Sequence, residues 1–317
     1  MITMRSEMTG IQRWLACLVI MTSFVGLSFA GDVSAAPGQR VFPSPEDAVR
    51  SLIDAVRQND TRELLAIFGP SGKDLVFSGD PNMDAQGRAH FLKAYEQKNR
   101  LEYVHRKKIV LHVGENDWPM PIPMIKVGKT WQFDTKEGRS EILARRIGRD
   151  ELSAVQVCLA YVDAQREYAL GHNSAGGAEY ARQFLSDPGK KNGLCGEEGK
   201  GDNLPGPMGP LIAGACPASF SPQERGKAVP YHGYFYKILT AQGKNAPGGA
   251  YDYIVNGRMI GGFGLVAYPA RYRSTGVMTF IVNHDGTVYQ KDLGKNTTRT
   301  AEKMTVFDPD RTWRKVD

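Results

Sequence analysis

The chain has 317 residues, a formal net charge of +6 and 35 glycines, long enough for one large domain or two ordinary ones, each with its own core. Its composition is that of a globular protein, with no low-complexity tail and no internal repeat. Lys and Arg are scattered without a compact basic patch or a recognisable motif, which argues against nucleic acid as a partner.

Arg5 and Arg13 precede a run from Trp14 to Ala30 that is almost wholly apolar or small. The run ends at small residues and Asp32, short for a spanning helix of about 20 residues. Residues 1–35 are therefore expected to be a signal peptide cut between Ala35 and Ala36, with Ala30 as a second candidate. An uncleaved anchor is the alternative. Both readings place the body outside the cytoplasm, periplasmic or secreted, and processing would leave no stable transmembrane helix. Cys17 precedes most of the apolar run, so a lipid anchor is rejected. Arg5 and Arg13 balance Glu7 and Asp32, so the net charge lies in the mature part.

Residues 36–148 read as an N-terminal α+β domain. Ser44, Pro45, Glu46 and Asp47 give a helix start, followed by Ala48, Leu52, Ile53, Ala55 and Val56 at helical spacing. Thr61 is placed to cap a second helix carrying Leu64, Leu65 and Phe68, and a third runs from Asp84 to Lys98 with Phe91, Leu92 and Tyr95 inward. The period then changes to two, predicting strands near Leu101 to His105, Ile109 to Val113, Pro123 to Val127 and Thr130 to Asp134. Arg106, Lys107 and Lys108 read as a solvated strand edge. Helices followed by an antiparallel meander resemble the cystatin-like or NTF2-like order.

Residues 149–317 read as a second domain. Arg149 or Asp150 opens a long helix ending near Gly171, with Leu152, Val155, Leu159 and Val162 on one face. From Ser186 to Val229 the chain is rich in Gly, Pro and Lys, either a lid or a structural elaboration. Strands follow at Tyr234 to Ala241, Tyr251 to Val255, Phe263 to Tyr268, Val277 to Val282 and Thr287 to Lys291, the last two joined by an Asp-Gly hairpin. A long helix packed on a C-terminal antiparallel sheet resembles the body of type IV pilins and pseudopilins, without their assembly helix. Cys195 and Cys216 flank the irregular segment and are expected to be bonded, while Cys158, on the long helix, is expected to be free and buried.

Hydrolase, zinc-protease and nucleotide signatures are absent, so no cofactor and no metal is implied. Asp80, Asn82 and Asp84 alternate like a calcium loop but lack its glycine and closing glutamate. His284 with Asp285 forms an acid/base pair on paper, inside a turn where such residues serve the backbone. The least ordinary cluster is Tyr231, His232, Tyr234, Tyr236, Tyr251, Tyr253, Arg258, Arg271, Tyr272 and Arg273. Alternate tyrosines on neighbouring strands would give an aromatic ligand-binding platform beside cations. The same pattern also serves cross-strand packing beneath the long helix.

The stretches FPSPEDAVRSLIDAVRQND, GPLIAGA, PYHGYFYKILTAQGKNAPGGAYDYIVNGRMIGGF and GVMTFIVNHDGTVYQKDLG resemble the secreted bacterial family catalogued as domain of unknown function 2950. The resemblance implies export and a shared fold, and supplies no activity. The expectation is an exported envelope protein that binds or assembles rather than catalyses, with an envelope polymer or envelope protein as partner. A hydrolase with a site around His232 and the tyrosines is the alternative.

Overall fold

A computed structural model of the chain describes residues 38–77, 81–171, 173–174, 177–187, 189–190, 192–195, 209–216 and 229–316. The expected leader, Asp80 of the calcium-like run and most of the 186–229 segment lie outside the described residues. The fold is α+β, with helices and antiparallel sheets.

Helix α1 (Pro45–Arg57) starts as its sequence dictates: Ser44 Oγ accepts the Asp47 N–H at 3.1 Å and Pro45 occupies the first turn. Its apolar face buries Ala48, Leu52, Ile53 and Val56. Helix α2 (Thr61–Phe68) is capped by Asp60, not Thr61, through the Glu63 N–H at 2.9 Å. A carboxylate is the better acceptor at this end of the helix dipole. After the short α3 (Lys73–Val76), α4 (Pro81–Gln97) leans on the unit through partly buried Phe91, Leu92, Ala94 and Tyr95.

Strands β1 (Asn99–His105), β2 (Lys108–Val113), β3 (Trp118–Pro119), β4 (Met124–Val127) and β5 (Thr130–Phe133) form one antiparallel sheet in the order β1-β2-β4-β5, with β3 on β2. Ile109, Leu111, Met124 and Phe133 pack with α1 and α2 into one core. Arg106 and Lys107 are exposed at the turn between β1 and β2.

Helix α5 (Thr135–Gly171) begins well before the expected start at Arg149. Asp134 Oδ1 accepts the Glu137 N–H at 2.9 Å, the acceptor half of an N-terminal capping arrangement that the strand reading of Asp134 obscured. Gly138 lets the helix approach the β3–β4 connection, since a Cβ there would lie 2.6 Å from Ile122 Cγ1. The boundary expected at residue 148 therefore falls inside one continuous helix, whose later turns bury Ala154, Val157, Cys158, Tyr161 and Val162 in a second core.

Two short strands, β6 (Asn173–Ser174) and β7 (Gly177–Ala178), pair after α5, and α6 (Gly209–Ala215) packs on it. The remaining strands are β8 (Tyr234–Leu239), β9 (Ala241–Gln242), β10 (Tyr251–Asp252), β11 (Ile254–Val255), β12 (Arg258–Met259), β13 (Gly264–Pro269), β14 (Met278–Asn283) and β15 (Tyr289–Asp292). Helix α7 (Thr297–Lys303), β16 (Val306–Phe307) and β17 (Arg314–Lys315) complete the described chain. The main sheet runs β17-β15-β14-β13-β8. Every residue of β13 is buried: Leu265 and Ala267 face α5, while Val266 and Tyr268 face a third cluster with Ala301 and Phe307. Coverage on both faces explains its near-continuous apolar run. Cys195 and Cys216 are bonded, with Cα atoms 6.6 Å apart, and Cys158 is free and buried.

Candidate functional site

The tyrosine cluster does not assemble as a platform. Tyr234 and Tyr236 point from β8 into the core beneath α5 and are fully buried. Desolvation pushes both hydroxyls far above their ordinary range, and Tyr234 donates to the Met278 carbonyl at 2.9 Å. The expected neighbour of β8 was the Tyr251 strand. Instead β8 pairs with β13, and β10 pairs with β9.

The remaining members divide between the two ends of β13. At the Pro269 end, His232 is exposed in the turn that bridges Tyr231 and Tyr234, with His232 and Gly233 both at positive φ, 47° and 73°. Asn, Asp and Gly usually hold this tight hairpin geometry, so the histidine sits where backbone shape decides. Asp150 is nearby and desolvation raises its carboxyl, opposed by Arg149, Arg146 and His232. Arg271 and Arg273 are exposed, and the Arg273 guanidinium lies over the Tyr272 ring at 5.5 Å. At the Gly264 end, Tyr253 is fully buried and Tyr251 is 38% exposed. His284 Nε2 lies 3.4 Å from the Tyr251 hydroxyl and 3.8 Å from Asp285 Oδ1, both beyond the 2.6–3.2 Å or so at which a proton is handed over. Arg258, on β12, is ion-paired to Glu179 at 2.8 Å. Among the described residues no group of three or more His, Cys, Asp or Glu is placed to hold a metal ion, and no helix is long and apolar enough to cross a membrane.

The N-terminal unit offers a different site. An open cleft of about 310 Å³ lies where α4 leans over the other helices, walled by Leu52, Val56, Leu64, Phe68, Met120 and Ile122. Gly87, Arg88 and Phe91 of α4 close one side, and Trp118, 44% exposed, stands on its lining. Arg88 Nη1 donates weakly to the Val76 carbonyl at 3.4 Å, and its buried Nε has no partner among the described residues.

Two other clefts show what distinguishes this one. The cleft beside Pro70, of about 410 Å³, contains Arg139, whose Nε donates to Asp74 at 3.1 Å. The cleft along α1, of about 390 Å³, contains Arg57, which pairs with Asp54 at 3.4 Å and Glu96 at 3.2 Å. Both guanidiniums are already engaged. Among these three, only the apolar cleft has a buried guanidinium nitrogen without an acceptor among the described residues.

A sequence-family model described as "Protein of unknown function (DUF2950)" matches residues 39–316. The chain belongs to the DUF2950 family. No curated protein and no solved structure matches it. The DUF2950 match takes in both the apolar cleft and the main C-terminal sheet, so both belong to one family unit. Sequence reasoning placed Phe91 and Tyr95 on the inner face of the third helix and passed over Arg88. The signal was present: Asp84, Arg88, Phe91 and Tyr95 recur at helical spacing, which puts two charges on an apolar face. An ionisable group there calls for a partner.

Proposed function

We propose that this DUF2950 protein is an exported component of the cell envelope that binds a ligand in the cleft beneath α4 and performs no chemistry on it. The observation that carries the reading is the cleft itself. Its walls are mostly aliphatic and aromatic, its volume of about 310 Å³ falls within the usual range for ligand pockets of about 300–1,000 Å³, and two charged side chains, Asp84 and Arg88, stand on its lining to orient an occupant. Export is supported by the basic, apolar and small-residue order of residues 1–35.

Assembly through a sheet edge fits less well. Strand β1 is an edge and exposes Tyr103 and Val104 at 61% and 52%, but its outer surface is charged. Arg100 pairs with Glu102 and Asp117, and His112 Nε2 contacts Glu102 at 2.8 Å. Charged edge strands resist pairing with another chain.

The test compares wild type with Gly87→Phe, a change that fills the cleft. A Cβ at Gly87 meets nothing within 4 Å, and phenylalanine suits a helix better than glycine, so the variant should fold. Each protein is incubated with a total envelope extract, repurified, and its bound small molecules are identified by mass spectrometry. Wild type should retain a compound class, unaltered, that the variant has lost. Identical retention, or chemical conversion of the retained compound, would contradict the reading.

A further inference from the structure

We infer that the occupant is a single-chain amphiphile whose carboxylate head lies against Arg88, with its hydrocarbon chain in the apolar cleft; this rests on the binding reading above. What the cleft leaves over is a buried donor that no acceptor, the nearby Asp84 included, engages. Arg88 Nε has no partner among the described residues, and a buried donor left unpaired is costly, the more so where the group is charged. A carboxylate supplies acceptor oxygens and the opposite charge, and its hydrogen bond to a guanidinium is among the stronger kinds.

Asp84 narrows the choice of head group. It lies one helical turn before Arg88 and also lines the cleft. Its negative charge opposes a dianionic phosphate monoester more strongly than a monoanionic carboxylate. A cationic head would meet Arg88 unfavourably and leave the Nε donor unsatisfied.

The rest of the cleft fits a chain. Leu52, Val56, Leu64, Phe68, Met120 and Ile122 offer no donors from their side chains, so what they stabilise is apolar surface, more with each methylene buried. A volume of about 310 Å³ lies at the small end of ligand pockets, which suits one chain better than two. The wall over the cleft is also yielding. No side chain described in α4 is fully buried, so an outward shift of the helix would expose only side chains that are already partly open.

The experiment is calorimetric titration of the purified exported chain with dodecanoate, dodecyl phosphate and dodecyltrimethylammonium, each below its micelle concentration. Dodecanoate should bind one per chain, at least tenfold more tightly than either of the others. Arg88→Leu should weaken dodecanoate at least tenfold and abolish the preference among heads. Gly87→Phe should remove all three affinities while its melting temperature is unchanged or raised. Equal binding of the cationic probe, undiminished dodecanoate binding in both variants, or no dodecanoate binding at all would each overturn the assignment. If dodecanoate fails while an envelope compound is still retained by wild type and lost from Gly87→Phe, the carboxylate class falls and the cleft reading stands. Failure of both would remove the two together.

Discussion

Gln165 shows how a single polar side chain fixes the C-terminal unit. It is fully buried on α5, and its amide donates to the Tyr161 hydroxyl at 2.9 Å and the Ala181 carbonyl at 2.8 Å. Its Oε1 accepts the Ala181 N–H at 2.8 Å. Both backbone groups of Ala181 are thereby satisfied by one residue sixteen positions earlier, which pins the segment after β7 to the helix. Gln165→Leu keeps the volume and leaves an N–H and a C=O without their partner. Two such groups cost together about 2–6 kcal/mol, and urea unfolding of the variant should show a loss in that range. A loss below about 0.5 kcal/mol would mean that water replaces the amide. Arg88 is the counterpart of Gln165 in the N-terminal unit: partly buried, polar, and with one donor unmatched.

At the scale of elements, the sequence conveyed most where local chemistry decides. The Ser44 cap, the Pro45 start and the alternating β2, β4 and β5 are set by neighbours within a turn or a strand, and each forms where its residues indicate. Strand partners were not legible, because the choice of β13 rather than β10 beside β8 depends on residues about thirty positions away that bury both faces of β13. Tyr234 and Tyr236 are core because α5 covers their face of the sheet, the packing alternative their spacing also allowed. The cleft was illegible for a related reason: its wall joins α1, α2, α4 and the β3–β4 connection, which no sequence window spans.

The bond between Cys195 and Cys216 is also an element-scale feature, tying the segment after β7 to the end of α6 across a separation of 21 residues. A loop of that length gives about 3 kcal/mol in the chain-entropy model. The Cys195→Ser, Cys216→Ser double variant should lose about that much. Cys158 is buried, with its thiol pushed well above its ordinary range by desolvation, so alkylation of a chain made without residues 1–35 should modify no thiol while folded and one after denaturation. Native labelling of Cys158 would mean that α5 opens readily.

On the scale of the whole molecule, α5 carries the architecture: its first turns pack on the β3–β4 connection through Gly138, and its later turns roof the main C-terminal sheet. The two ends do different work. The C-terminal unit is closed, with β13 buried on both faces and a disulfide beside it. The N-terminal unit is left open along α4, whose apolar face is only partly covered. Ligand sites are drawn from such less stable regions, and this contrast is why the proposed binding site is under α4 rather than at the tyrosines. The direct test is amide hydrogen exchange of the folded protein with and without saturating dodecanoate. Exchange across residues 84–97 should slow on binding while the β8 and β13 amides stay unchanged; protection confined to the Tyr251 and His284 region, or none in α4 at full occupancy, would contradict the account.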